Sequence, residues 1–464
     1  VTEVEARSAA NRLHDQLELI VDLLHRHDED GRLPADVLVD LRLQLDELHP
    51  ADIAFVLESL PLDDRLAVWQ LVKAGRDGEI LLEVSDAVRE SLIADMDRHE
   101  ILAAAETLDA DELADLVEDL PTAVLPELMA GLDAQQREQV QSALSYEDDQ
   151  IGALMDFEMV TIREDVSLEV VLRYLRRWDE LPAQTDKLFV INQDNLLTGV
   201  LPLHWLLVNA PDKMVSEVMA PDVNTFHPAD DAYEVAQAFE RYDLVTAPVV
   251  DDNGHLIGRI TVDAMVDVIR EEGDSEALSR AGLREEEDIF ASVWASLRNR
   301  WSWLAINLVT AFIASRVIGL FEGSIEKLVA LAALMPIVAG IGGNSGNQTI
   351  TMIVRALALN QISPESGKRL WRKELTVALF NGLIWGGVIG AVAWWLYNSL
   401  SLGLVMTAAM TLNLLLAAFA GVGIPMLMMK LGRDPALGSS VLITAMTDSG
   451  GFFIFLGLAT LFLL

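Results

Sequence analysis

Apolar and polar positions change their spacing three times along the chain. Over residues 1–145 apolar residues recur at helical spacing with acids between them. Leu-Pro stops punctuate these runs, as in "LHPADIAFVLESLP" from Leu48 and "LDADELADLVEDLP" from Leu108. The two stretches begin 60 residues apart and predict an all-α superhelical stack of short repeated helices. From Met155 the spacing shortens. "LFVINQDNLLTGVLPLHWLL" (188–207) and "APVVDDNGHLIGRITVDAMV" (247–266) each read strand, turn, strand, helix, with Gly199 and Gly258 aligned 59 residues apart. The helical stretches "LEVVLRYLRR" and "AYEVAQAFERY" precede them, so a β-α-β-β-α order is predicted twice. Residues 275–299 predict a charged amphipathic helix that leads into the apolar part of the chain.

Beyond residue 300 the runs become long and apolar. Five segments reach the roughly 20 residues that a helix needs to cross the hydrocarbon: 301–320, 328–354, 375–397, 404–429 and 436–464. Basic residues gather between the second and third (Arg355, Lys368, Arg369, Arg372, Lys373) and between the fourth and fifth (Lys430, Arg433). The loops on the other side, "FEGSIEK" and "YNSLS", hold one Lys between them. This asymmetry predicts a multi-pass protein of the bacterial inner membrane, N-terminus in the cytoplasm and C-terminus outside. The charged N-terminus carries no signal-peptide pattern, which points the same way.

Charge divides the chain at the same place. Residues 1–299 hold 23 basic and 66 acidic side chains, and residues 300–464 hold 10 and 6. An acidic polar part is thus fused to a nearly uncharged apolar one. The acidic part repels nucleic acid and attracts cations. Cysteine is absent, which excludes disulfides and thiolate metal sites. No Walker motif, nucleophile–base signature or Cys/His cluster is present, so no enzyme is expected.

Two features of the apolar part carry chemistry. "GIGGNSGNQT" (340–349) sets four glycines beside Asn344, Asn347, Gln348 and Thr349 inside the second span. It predicts a break whose freed backbone groups must be paired or meet water. Small residues and amides also pack helices together, and the stretch alone favours packing. Asp448 shifts that balance. A charged Asp at the centre of a membrane helix costs roughly 2.5–3.5 kcal/mol and ordinarily faces a cavity or a partner. The only basic residue within the other spans is Arg316, near the outer end of the first. Thr444, Thr447, Ser449 and Gly450 flank Asp448 with a polar stripe. A water-filled path is the better reading. Oxygen-only ligands suit a hard divalent cation such as Mg²⁺, Ca²⁺ or Mn²⁺. Because Mg²⁺ sheds water reluctantly, its site should admit the hydrated ion. Two-fold symmetry would supply a second Asp448, and two facing carboxylates favour divalent charge. No second ionisable site that could couple transport to another ion is evident in the five spans.

The repeated β-α-β-β-α unit resembles a tandem pair of CBS domains. With "PIVAGIGGNSGNQT" (336–349), "DPALGSSVLITAMTDSGG" (434–451) and "YEDDQIGALM" (146–155), nearly the whole chain resembles the MgtE magnesium channels, which are related to the SLC41 carriers. The resemblance implies an acidic helical N domain (1–147), tandem α/β CBS domains (148–272), a linking or plug helix (273–299) and a five-helix transmembrane pore domain (300–464). It implies a homodimer with one pore lined by spans two and five, Asp448 as the central ion site and Asn344 and Asn347 as pore lining. Cytoplasmic Mg²⁺ would close the pore by bridging Glu79, Asp111, Asp115, Asp231, Asp243, Asp263, Asp267, Glu272 and Glu276. Ala264 and Ser275 stand where the family commonly has acids. CBS pairs often bind adenine nucleotides such as ATP. Gly258, Thr261 and Asp263 approach that pattern, and the first copy departs from it with Pro202, His204 and Trp205. The leading expectation is a Mg²⁺-selective, Mg²⁺-gated channel. Its rivals are a Na⁺- or H⁺-coupled divalent cation carrier and a membrane-tethered metal or nucleotide sensor without transport.

Overall fold

The computed structural model describes residues 3–26, 33–73, 75–283, 288–358, 364–432 and 438–464. The chain forms two compact units, Val1–Gly273 with Asp288–Ala291, and Asp274–Glu287 with Ser292–Leu464.

In the first unit ten helices precede the sheets: α1 (Glu3–Leu24), α2 (Ala35–Glu47), α3 (Pro50–Glu58), α4 (Leu62–Trp69), α5 (Asp77–Glu83), α6 (Asp86–Ile93), α7 (Arg98–Ala105), α8 (Ala110–Asp119), α9 (Leu125–Gly131) and α10 (Ala134–Ala143). One apolar core threads the stack from Ile20 to Val140. The even-numbered helices α4, α6, α8 and α10 begin at residues 62, 86, 110 and 134, a repeat of 24 residues. The 60-residue register read from the sequence is therefore not the structural one. It matches α3 with α8, a first helix with a second, because both are followed by the same Leu-Pro stop. Each repeat places a set side chain at the fourth residue of its even helix: Arg65, Arg89, Leu113 and Arg137. The arginines close the preceding helix. Arg65 Nε donates to Leu57 O at 2.9 Å, Arg89 Nε to Leu81 O at 2.8 Å and Arg137 Nε to Met129 O at 2.8 Å. They satisfy carbonyls that a helix C-terminus leaves without partners.

The CBS repeat follows. β1 (Thr161–Arg163), α11 (Leu168–Leu175), β2 (Lys187–Ile191), β3 (Leu197–Pro202) and α12 (Leu203–Val208) form the first copy. β1 pairs parallel to β2, and β2 antiparallel to β3. The second copy has α13 (Val215–Val218), α14 (Ala232–Tyr242), β4 (Thr246–Val250), β5 (Leu256–Thr261) and α15 (Val262–Ala281). Its first strand is reduced to one parallel bridge, Phe226 to Val249. The copies agree in register: Val190 faces Gly199 and Val249 faces Gly258, each with an irregularity one residue later. Residues 273–299 do not form a single linking helix. α15 runs through Gly273 to Ala281, residues 288–292 are not helical, and the next helix starts at Val293.

The second unit contains α16 (Val293–Gly319), α17 (Glu322–Lys327), α18 (Ala330–Ala358), α19 (Pro364–Tyr397), α20 (Leu400–Lys430) and α21 (Ser439–Leu463). Four of them, over Ser296–Gly319, Gly367–Tyr397, Leu400–Lys430 and Ser439–Leu463, are long and apolar enough to cross a membrane. With 29 residues α18 has the length too, but its polar stretch lowers its apolar content. α20 is the hub, packed against α18, α19 and α21, while α16 presents Leu304, Leu308 and Phe312 outward as lipid contact requires. The break predicted at "GIGGNSGNQT" does not occur: α18 is helical throughout, including residues 340–349. Glycine costs about 1 kcal/mol in a helix interior. An unpaired backbone group in hydrocarbon costs several, so the helix persists.

Candidate ion site and acidic interface

The apolar unit turns three polar sets toward one another. On α21, Asp448 is half-buried, and among the described residues no hydrogen bond or ion pair reaches its carboxylate. Thr447 beside it is fully buried, and its hydroxyl donates back to Ile443 O at 2.9 Å. α21 packs against α18, on which Asn344 is exposed and Asn347 half-buried. A Cβ on Gly343 would stand 3.6 Å from Thr447 Oγ1, so the glycine stretch faces the turn that carries Asp448. Three buried side-chain atoms have no hydrogen-bond partner: Asn347 Oδ1 on α18, Asn413 Oδ1 on α20 and Ser449 Oγ on α21. Buried polar atoms are ordinarily paired, so their grouping on adjoining helices marks a polar seam.

Two side chains of this unit escaped the sequence reading. Asn413 is 0% exposed in the middle of α20, where it looked like an isolated polar residue in an apolar run. Glu374 is 4% exposed in α19 and accepts from Thr349 Oγ1 at 3.5 Å, with Lys373 Nζ at 3.3 Å. It stands one residue ahead of the predicted third span but inside the apolar helix Gly367–Tyr397. The expectation that the membrane part holds no ionisable group besides Asp448 is corrected by this buried carboxylate.

In the first unit the acids of α8 meet those of the CBS repeat. Asp111 is pushed up to about 7, first by burial and then by Asp156, Glu112 and Asp109. Burial also raises Glu112, followed by repulsion from Asp109, Glu79 and Asp156. Asp156 is raised by burial against the pull of Arg259, whose Nη2 lies 2.7 Å away. Glu271 on α15 is raised by desolvation and by Asp86, Asp267 and Asp115, and Asp267 by desolvation and Asp263. Like charges crowded this way favour a bound cation or a proton. Among the described residues no three carboxylate or imidazole groups converge tightly enough to hold a metal.

Of the expected sensor acids, Glu79, Asp111, Asp115, Asp263 and Asp267 belong to this interface. Asp115 is also drawn to Arg89 Nη1 at 3.1 Å. Asp231 and Asp243 have local tasks at the two ends of α14. Asp231 accepts from Glu234 N at 2.8 Å as N-cap, and Asp243 ends the helix at φ 50°. Glu272 lies on α15, and the side chain of Glu276 lies outside the described residues. Asp109, Glu112, Asp156 and Glu271 were missed, and only their placement against one another singles them out. Of the nucleotide candidates, Thr261 is 8% exposed and pairs across the sheet with Thr246, while Asp263 occupies the first turn of α15.

Comparison with known proteins follows the same division. Residues 48–149 match the MgtE intracellular N domain, 215–271 a CBS domain, and 335–458 the MgtE divalent cation transporter. The chain is 32% identical over 432 residues to magnesium transporter MgtE of Thermus thermophilus, covering 91% of this chain and 95% of that protein. It is 28% identical over 454 residues to magnesium transporter MgtE of Bacillus subtilis, covering 98% and 99%. Among solved structures it is similar to the cytosolic domain of the Mg²⁺ channel MgtE in complex with ATP (32% identity, 49% of this chain and 93% of that one, TM-score 0.45). An N-terminal helical stack, a CBS repeat and a bundle of membrane helices, matched in order at this identity and coverage, place the chain in the MgtE family of magnesium transporters.

Proposed function

We propose that the protein is a Mg²⁺ channel of the cell membrane that closes when Mg²⁺ binds its acidic first unit. The observation that carries this reading is Asp448, a carboxylate without a partner on a membrane helix, flanked by the polar seam of α18. A hydrated divalent ion is the partner it lacks. Two copies related by a two-fold axis would face their Asp448 carboxylates across one pathway lined by Asn344 and Asn347. The hydrated ion would be held through water by carboxylate and amide oxygens. Without bound cation the acids of α8, Asp156 and α15 repel one another. Mg²⁺ bridging them would favour the compact arrangement and shift the population toward the closed pore. The same topology sets the first unit in the cytoplasm, where it reads the ion that the pore admits.

The carrier reading retains one specific observation, the buried Glu374 in α19, a second carboxylate at which a coupling proton or Na⁺ could act. Liposome flux with and without Na⁺ and proton gradients separates the two, and gradient-independent uptake supports the channel. Asp448→Asn decides the pathway. Loss of Mg²⁺ flux in a protein that still assembles is expected, and unchanged flux refutes the assignment.

A further inference from the structure

We infer that Asn413 is a positioning residue for magnesium transport: its buried amide fixes the register of α18 against α21 and thereby the distance between Asn347 and Asp448. This rests on the ion pathway proposed above. Asn413 lies in the middle of α20 and is 0% exposed. Its Nδ2 donates to Val338 O of α18 at 2.9 Å. The amide fills notches in both flanking helices. A Cβ on Gly342 of α18 would stand 2.2 Å from Nδ2, and one on Gly451 of α21 would stand 2.7 Å away. One side chain of α20 thus touches the two helices that carry the polar seam.

The placement of the notches relates Asn413 to the ion. Gly451 follows Asp448 by three residues, about one helical turn, so both lie on neighbouring parts of one face. Gly342 precedes Asn344 by two residues and Asn347 by five. Farther along α18, Thr349 packs onto Gly421 of α20 and donates to Glu374. The stretch 344–348 is therefore pinned at both ends, by Asn413 before it and by Thr349 after it.

Packing alone does not account for the residue. A leucine has nearly the same volume and would leave no polar atom to desolvate, whereas Asn413 keeps Oδ1 buried without a donor. An unpaired buried amide oxygen disfavours folding. What the amide supplies in return is a directional contact to the α18 backbone that an apolar side chain lacks.

The test measures Mg²⁺ flux into liposomes by the full chain, using Asn413→Leu, Asn413→Asp and the double variant Gly342→Ala/Asn413→Ala, with Asp448→Asn beside them. Flux in Asn413→Leu should fall about tenfold, the effect of misplacing a binding group by a fraction of an ångström. The double variant removes the steric conflict at Gly342 without restoring the hydrogen bond, so it should stay as impaired. Wild-type flux in either overturns the inference. If Asn413→Leu does not fold, Asn413→Asp decides. Its protonated carboxyl can donate to Val338 O and its carboxylate cannot, so flux relative to wild type should recover as pH falls from 8 to 5. Wild-type flux at pH 8, or no recovery in a folded protein, overturns it. If Asp448→Asn itself transports normally, the pathway fails. If Asp448→Asn is inactive while the Asn413 variants are normal, only the inference fails.

Discussion

Replacing Asp111 with asparagine probes the acidic interface most directly. The Asp111 carboxyl titrates at about 7 in the folded chain against 3.8 ordinarily, because burial and the neighbouring Asp156, Glu112 and Asp109 disfavour its charge. A shift of roughly three units corresponds to about 4 kcal/mol between its protonation states. Solvent at the half-buried site screens part of this, and we take about 2 kcal/mol as the cost of the charge above pH 7. The sign follows from the raised value. The folded state binds the proton more tightly than the unfolded one, so this contribution is fully present below about 3.8 and lost as pH rises through about 7. Between pH 6 and pH 8 the loss is at most about 1.4 kcal/mol. Hydrogen exchange of the full chain in detergent, corrected for intrinsic rates, reads it as protection of α8. In EDTA at pH 8, Asp111→Asn should protect α8 by about 1–2 kcal/mol more than wild type. The gap should narrow toward acid, and Mg²⁺ should raise protection in wild type but much less in the variant. Equal protection of the two proteins at pH 8 without divalent cation would refute the electrostatic account. So would wild-type protection that increases from pH 6 to pH 8.

Two further outcomes test other parts of the structure. Arg65 is 0% exposed, closes α3 through Leu57 O and Leu60 O, and forms a bidentate pair with Asp288 at 2.8 and 3.2 Å. Arg65→Ala should cost about 3–5 kcal/mol in the exchange protection of α3–α6. Arg137→Ala removes carbonyl contacts alone and should cost about 1–3 kcal/mol; equal losses would refute a contribution from Asp288. Glu374→Gln keeps an acceptor for Thr349 and removes the charge, so a channel should retain Mg²⁺ flux within about threefold and show no gradient dependence. Loss of a Na⁺- or proton-driven component on this substitution would instead establish the carrier.

The sequence by itself determined the local elements and the boundary between two kinds of chain. The five long apolar helices, the doubled β-α-β-β-α order and the oddity of Asp448 all follow from residue spacing and charge, which act over a turn or a strand. Spacing also misled where it was local. The Leu-Pro stops after α3 and α8 suggested a 60-residue unit, but arginine capping of carbonyls five and eight residues back sets the repeat at 24. Glycine and asparagine in α18 suggested a break, and the demand of hydrocarbon for paired backbone kept the helix whole. Only tertiary structure decided which polar groups meet. Asn413 gains meaning from Val338, Gly342 and Gly451 on other helices, and Asp111 from Asp156 across the interface. Desolvation and like-charge repulsion depend on distance in space, and no periodicity along the chain encodes that distance.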